Sequence, residues 1–367
     1  MGAKKTRVVV AMSGGVDSAV AAVLLQREHF EVIGVTMCFN LADIETKKPR
    51  CCGISGIRDA QRIAHKLGIR HYILNMRQAL EDHVINDFCR EYSRGRTPNP
   101  CVRCNQFVKF DVLLKKAISL GADYLATGHY ARITTTPNSA RRTPNYFLRK
   151  AADKHKDQSY FLYRLGQKQL RRILFPVGGL SKPAVRQIAR ENGLAVAQKK
   201  ESQEICFLPQ DDYRSFLAAR LKKGVRPGAV VDLEGNLLGE HKGIAFYTVG
   251  QRQGIGIATG YPAYVVRIDA PNNRLVLGRR QDVSGKGLWL KDLHFVNGPL
   301  EKKIALKIKI RYNHRDARAK VTPLGKRLKV IFKEPQFAVT PGQSAVLYSN
   351  DIVIGGGIIE KVINEDD

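Results

Sequence analysis

A chain of 367 residues with 44% hydrophobic and 26% charged side chains excludes a disordered polymer, and at roughly 150 residues per domain it implies two or three globular units. Lysine and arginine number 61 against 33 aspartates and glutamates, a formal net charge of +28 whose field would concentrate a polyanion through counterion release, so nucleic acid is the first partner class it names. No apolar run approaches the roughly 20 residues needed to cross a bilayer, and seven irregularly spaced cysteines make a poor disulfide framework and read as reduced thiols, so a cytoplasmic home is expected.

In chain order, Arg7 to Met12 is a continuous β-branched run, the pattern of a strand buried on both faces in a parallel sheet. A glycine turn follows, then a helix that Asp17 or Ser18 could cap, with Ala19, Val20, Val23 and Leu24 at helical spacing, then a second strand from Glu31 to Met37. The alternation continues through a helical face of Ala60, Ile63, Ala64 and Leu67, a strand from Arg70 to Met76, a helix marked by Leu80, Val84 and Phe88, and a strand from Tyr124 to Thr127. This predicts an α/β fold, a doubly wound and mostly parallel sheet occupying residues 1–208, with ligands at the carboxyl ends of its strands, where the turns after Met12, Met37 and Thr127 lie. Beyond Pro209 the texture changes to short alternating strands, which predicts two small, mostly β domains at 209–280 and 281–367, the second barrel-like. There Leu306, Ile308 and Ile310 alternate with Lys307, Lys309 and Arg311, and Arg315, Arg318 and Lys320 extend the charge. One face of that strand is apolar and the other basic, suited to a nucleic-acid backbone.

The turn Ser13-Gly14-Gly15-Val16-Asp17-Ser18 between the first strand and helix is a phosphate cradle: glycines allow close backbone approach, and a helix N-terminus offers unpaired N–H groups. It lacks the lysine of a Walker loop and the spacing of a dinucleotide fingerprint, and it resembles the PP-loop of ATP pyrophosphatases. A second element, Thr97-Pro98-Asn99-Pro100-Cys101-Val102-Arg103-Cys104-Asn105, presents two thiols three residues apart ahead of a helix bearing Phe107, Phe110 and Leu114. Such a pair serves metal binding, redox exchange or nucleophilic sulfur chemistry alike. A third thiol, Cys206, lies in a polar stretch off any apolar period. Cys38 and Cys89 read as small core hydrophobes, and a zinc site on Cys51, Cys52, Cys101 and Cys104 is an alternative.

Taken together with Ala126-Thr127-Gly128-His129-Tyr130-Ala131-Arg132, Lys156-Asp157-Gln158-Ser159-Tyr160-Phe161-Leu162, Phe246-Tyr247-Thr248-Val249-Gly250-Gln251-Arg252 and Val339-Thr340-Pro341-Gly342-Gln343, the chain resembles, nearly end to end, the tRNA-specific 2-thiouridylases, the MnmA family within the PP-loop ATP pyrophosphatase superfamily. That resemblance implies a sulfurtransferase that binds the anticodon stem-loop of tRNA, uses ATP with Mg2+ to adenylate the C2 oxygen of the wobble uridine, and replaces that oxygen with sulfur. It further implies that Ala11, Met12, Ser13, Gly14, Gly15, Val16, Asp17, Ser18, Met37 and Gly128 bind ATP, and that Cys104 and Cys206 are the catalytic cysteines, Cys206 carrying a persulfide. By the same resemblance Asn99, Pro100 and Cys101 flank the target base, and His129, Lys156, Asp157, Gln158, Arg311, Tyr312 and Gln343 touch tRNA. Many members have Asp where this chain has Cys101, so a [4Fe–4S] cluster on Cys101, Cys104 and Cys206 is an alternative sulfur chemistry. A sulfur donor or relay protein is expected as a partner, and a monomer on one tRNA is the default.

Overall fold

Three successive valines, Val8, Val9 and Val10, are wholly buried in the strand β1 (Arg7–Ala11), which is possible only where both faces of a sheet are covered. Strand β2 (Glu31–Cys38) pairs with β1 in parallel on one side and leads outward to β3 (Arg70–Asn75), while β4 (Tyr124–Thr127) lies on the other side. Strands β5 (Ala131–Thr136) and β6 (Asn145–Lys150) form an antiparallel pair apart from this sheet, which β7 (Ile173–Leu174) completes beyond β4. The order β3-β2-β1-β4-β7, all parallel, puts the reversal of winding between β1 and β4, the point where a doubly wound sheet opens a crevice.

The computed structural model describes residues 5–39, 54–136, 144–200, 205–208, 212–221 and 225–364. The chain forms two compact units. The first comprises Met1–His83, Cys101–Pro209 and the short segment Asp351–Val353. That segment is held by Ile352, paired with Arg149, and by the Asp351 carboxylate, which accepts from Arg132 Nη2 at 3.0 Å and Arg149 Nη1 at 2.8 Å. Helix α1 (Val16–Arg27) is buried on nearly every side, and its run of alanines lets it pack closely against the helix Lys182–Glu191. It starts earlier than a cap at Asp17 or Ser18 would have it: Gly15 is the N-cap, and the Ser18 hydroxyl turns back to donate to the Gly15 carbonyl at 3.1 Å.

The second unit comprises Val84–Pro100, Gln210–Asn350 and Ile354–Asp367. In it β8 (Gly228–Val231), β9 (Leu237–His241), β10 (Tyr264–Asp269) and β11 (Arg274–Gly278) form a four-stranded sheet over a small core of Val230, Tyr247, Ile255, Val265, Leu275 and Leu277. The remaining strands, β12 (Ser284–Phe295), β13 (Ile304–Lys309), β14 (Ala317–Leu324), β15 (Arg327–Phe337), β16 (Ser344–Ser349) and β17 (Ile352–Ile363), close into a barrel, because β12 pairs with both β15 and β17. Leu306 and Ile308 point into the barrel core and Lys307 outward, as the alternation requires. Lys307 lies directly opposite Arg318, a like-charge pair that costs stability unless an anion lies across it.

The tight seat of α1 is directly testable. Ala21 is wholly buried, so Ala21→Leu overpacks that face and should lower unfolding stability by about 1–3 kcal/mol. Urea denaturation followed by circular dichroism measures it, and an unchanged midpoint would show that α1 has room the packing does not provide.

Candidate active site

Each strand end at the reversal contributes a turn. After β1, Gly14 takes φ +70° and lies so close to Gly56 that a Cβ there would stand 2.2 Å from the Gly56 carbonyl oxygen. Gly15 then opens α1 with no side-chain cap, which leaves the first N–H groups of a long, buried helix available to an anion. After β4, Gly128 approaches the same helix end: a Cβ on it would lie 2.7 Å from the Asp17 carbonyl carbon and the Ser18 nitrogen. Ser13 N–H donates to Ser18 Oγ at 3.3 Å, and Met12 is braced through its carbonyl by the Thr36 hydroxyl at 2.9 Å. Ala11, Met12, Ser13, Gly14, Gly15, Val16, Asp17, Ser18 and Gly128 are thus brought together where β1 and β4 end and α1 begins; Met37 lies one residue before the end of β2, in the neighbouring strand.

Beneath that surface is a charge pair that sequence spacing does not announce. Lys182 Nζ lies 2.7 and 2.8 Å from the two carboxylate oxygens of Asp17, and the Tyr130 hydroxyl donates to Asp17 Oδ1 at 2.8 Å. The Lys182 side chain is only 8% exposed, and its ammonium also lies 5.7 Å from the Tyr130 ring centroid. Lys199 adds a second tether, with Nζ 3.0 Å from the Gly14 carbonyl and 2.7 Å from Asp59 Oδ2. Lys182 and Lys199 are separated from the loop by more than a hundred residues, and no local motif marks either.

The thiols lie in the same unit. Cys104 begins a wide-turned π-helical stretch, Cys104–Leu113, where an ordinary helix was expected, and Phe110 departs from helical geometry within it. From this stretch Lys109 reaches 3.5 Å from His129 Nε2, and His129 Nδ1 lies 2.7 Å from the Thr127 hydroxyl at the end of β4. His129 is buried against Phe110 and Phe175, and burial with the Lys109 charge holds its pKa well below the ordinary histidine value, so the ring is neutral. With the ammonium donating to Nε2, the ring proton sits on Nδ1, facing Thr127.

Burial pushes the Cys101 thiol up to about 12, with the neighbouring Cys206 and Cys104 thiols adding to the shift. Burial likewise raises Cys104 to about 11; Lys109 pulls that value down and Cys206 raises it. Cys101, Cys104 and Cys206 thus share one electrostatic neighbourhood, and all are free thiols. Among the described residues no three His, Cys, Asp or Glu side chains are grouped to hold a metal ion. Cys38 is buried and Cys89 half-buried, while Cys51 and Cys52 lie outside the described residues.

Asp157 turns inward, accepting from Ala151 N–H at 3.0 Å and from the Ser159 hydroxyl at 3.0 Å. Gln158 holds the N-cap position of the short 3₁₀ helix Ser159–Leu162 without a side-chain cap bond, its Oε1 accepting from Tyr130 N–H at 2.9 Å, while Asp157 Oδ1 also accepts from Ser159 N–H at 3.2 Å. Lys156, half-buried, precedes that turn. The second unit holds the rest. Asn99 Nδ2 donates to Gln343 Oε1 at 2.9 Å, and Gln343 Nε2 donates to the carbonyls of Thr97 and Pro98 at 3.2 and 3.1 Å, so the two amides lock the loop that ends at Pro100. Arg311 donates to the carbonyls of Phe337 and Ala338, and Tyr312 stacks under Lys309.

Three family models match the chain: one described as tRNA methyl transferase HUP domain over residues 6–210, one as tRNA methyl transferase PRC-barrel domain over 214–279, and one as aminomethyltransferase beta-barrel domain over 285–359. The chain is 51% identical to the tRNA-specific 2-thiouridylase MnmA of Acetivibrio thermocellus, over 97% of this chain and 99% of that protein. It is 46% identical to the protein of the same name from Clostridioides difficile, over 97% of this chain and 98% of that one. Among solved structures, a 4-thiouridine synthetase in complex with RNA and ATP aligns at 16% identity with a TM-score of 0.37, covering 60% of this chain and 50% of that one.

Two measurements probe this geometry. A thiol near 11 is protonated below that value, so iodoacetamide labelling of Cys104 should be slow at pH 7.5 and rise about tenfold per pH unit to near pH 10, where an unperturbed thiol has already levelled off near pH 8.5. Lys109→Met removes the charge that favours the thiolate and should slow labelling further; a pH profile levelling near 8.5 in the unsubstituted protein would contradict the burial. Separately, Lys182→Met should weaken ATP binding at least tenfold in isothermal titration, with partial recovery in Lys182→Arg, because the Asp17 carboxylate is then left facing the phosphates without its counter-charge. Parent-like affinity in Lys182→Met would remove the pair from the nucleotide site.

Proposed function

Because the chain belongs to the tRNA-specific 2-thiouridylase family, we propose that it converts the wobble uridine of tRNA to 2-thiouridine, using ATP to activate the C2 oxygen. The observation that carries this reading is the junction Thr127-Gly128-His129: it presses on the phosphate loop at Gly128 and connects through His129 and Lys109 to the three thiols.

The backbone from Ser13 to Ser18, with Gly128, holds the phosphates of ATP, and Lys182 balances Asp17 beneath them. Mg2+, with Asp17 the nearest carboxylate of the loop, would neutralise the departing pyrophosphate. Asn99, Pro100 and Cys101 bound the target base, which enters unstacked, and Lys156, Gln158, Arg311 and Tyr312 meet the tRNA backbone, Asp157 and Gln343 shaping the turns beside them. The C2 oxygen of uridine attacks the α-phosphorus, the bond to the β-phosphate oxygen breaks, and pyrophosphate leaves. The terminal sulfur of a Cys206 persulfide then attacks C2, and AMP departs with the oxygen. Cys104 attacks Cys206 Sγ, the sulfur–sulfur bond breaks with its electron pair passing to the C2 sulfur, and 2-thiouridine is released opposite a Cys104–Cys206 disulfide. An external thiol reduces that disulfide, and a donor or relay protein reloads Cys206.

The high thiol pKa values fit this order. Cys104 stays protonated at neutral pH, which slows early attack on the persulfide, and the Lys109 charge is what favours its thiolate. The alternative of a cluster on Cys101, Cys104 and Cys206 is not favoured: among the described residues these three thiols are not grouped as ligands to one metal centre. The methyl-transfer wording of two family descriptions finds no support in a phosphate cradle beside thiols.

Incubation with ATP, unmodified tRNA and a small-molecule persulfide, which loads Cys206 by exchange and leaves as its thiol, followed by nucleoside mass spectrometry, should yield 2-thiouridine. Cys206→Ser and Cys104→Ser should abolish the product yet retain tRNA-dependent pyrophosphate release; pyrophosphate release indifferent to tRNA would refute the assignment. Anaerobic purification with iron and sulfide assays decides the sulfur route: stoichiometric iron lost in Cys101→Ala would replace the persulfide with a cluster.

A further inference from the structure

A cavity of about 640 Å³ opens in the second unit, lined by Tyr213, Arg214, the loop Thr248–Gln253, Arg311, Phe337 and Ala338. Its lining carries three arginines and no acidic side chain. The walls are fixed before any ligand arrives. Gln251 Oε1 accepts from Thr248 N–H at 3.1 Å and its amide donates to the Gln253 carbonyl at 2.9 Å, while Gly250 N–H and the Gln251 carbonyl bond to Val265 at 2.8 and 2.9 Å. Across the cavity Arg311 is spent on the carbonyls of Phe337 and Ala338 at 3.2 and 3.3 Å, which sets that wall. Arg214 stands 5.9 Å from the ring centroids of both Tyr213 and Tyr247, so its guanidinium is steered by aromatic faces, and Arg252 is exposed at the rim.

We propose that this cavity receives one further unstacked nucleotide of the tRNA anticodon loop, a neighbour of the wobble uridine in the RNA sequence. The volume suits a single nucleotide. A planar arginine close to two tyrosine rings offers a stacking surface that any base can use, and a second, exposed arginine of the lining meets the phosphate. The site is joined to the cysteine loop through one residue: the Thr97 hydroxyl donates to Thr248 Oγ1 at 3.2 Å, and Thr97 opens the run Thr97-Pro98-Asn99-Pro100 that leads directly to Cys101. Thr248 also bonds the buried Tyr92, which is stacked on Tyr213 at 5.3 Å. A nucleotide seated on Arg214 therefore presses on the same residues that set the loop ahead of the thiols.

The inference rests on the tRNA reading above, and the experiment separates the two. An anticodon stem-loop RNA carrying 2-aminopurine at either neighbour of the wobble position is titrated with the full chain, alongside the bare stem duplex. The fluorescence of one neighbour should change on binding, and Arg214→Ala and Arg252→Ala should each abolish that change and raise the stem-loop Kd about tenfold, with duplex binding altered by less than roughly twofold. Arg252 is exposed, so its variant tests the site even if Arg214→Ala fails to fold. Variants that bind the stem-loop like the parent, or that lose stem-loop and duplex affinity equally, would overturn the nucleotide pocket while leaving 2-thiouridine formation by the parent intact. Absence of that product in the parent would instead overturn the functional reading.

Discussion

An exclusion at the level of single atoms governs the catalytic unit. Gly128 lies against the backbone of Asp17 and Ser18 at a distance that no Cβ could share, so the chain leaving β4 can meet the phosphate loop only as glycine. That contact fixes where His129 emerges, His129 with Thr127 fixes Lys109, and Lys109 sets the charge felt by Cys101 and Cys104. The parallel order β3-β2-β1-β4-β7 makes the approach possible, because it brings the ends of β1 and β4 side by side at the reversal of winding.

Charge in this unit is stored in neutral or paired form. The thiols are protonated, the imidazole is uncharged, and the Asp17 carboxylate is matched by Lys182. Protonated, buried thiols are slow toward solvent oxidants and stray electrophiles. The pair of half-buried Asp17 and buried Lys182 serves position more than stability, since a charge taken from water is repaid only where its partner is held in good geometry.

Much of this was legible in the letters, for physical reasons. The valine run of β1 has no other home than a central parallel strand, and a glycine turn between such a strand and a helix has one electrostatic use. The alternation of Leu306 and Ile308 with Lys307 likewise states its two faces. What stayed hidden depends on distance along the chain. Lys182 meets Asp17 across 165 positions, and Ser181-Lys182-Pro183 reads locally as an ordinary helix start. The helix after Cys104 reads as regular because Phe107, Phe110 and Leu114 keep helical spacing, yet it is π-helical from Cys104 to Leu113, since packing rather than propensity sets the turn. The amide pair Asn99–Gln343 was legible only as two separate polar residues, and its mutual engagement needs the barrel to exist.

The return of Asp351–Val353 to the first unit bears on how the polypeptide is made. Arg132 and Arg149 are translated 219 and 202 positions before the carboxylate that joins them. The segment that carries β5 and β6 must therefore wait for Asp351 before this edge is closed, so a stop codon shortly before Asp351 removes a piece of the first unit and not merely part of the second. For the same reason this unit is poorly suited to being excised and transplanted as a continuous gene segment.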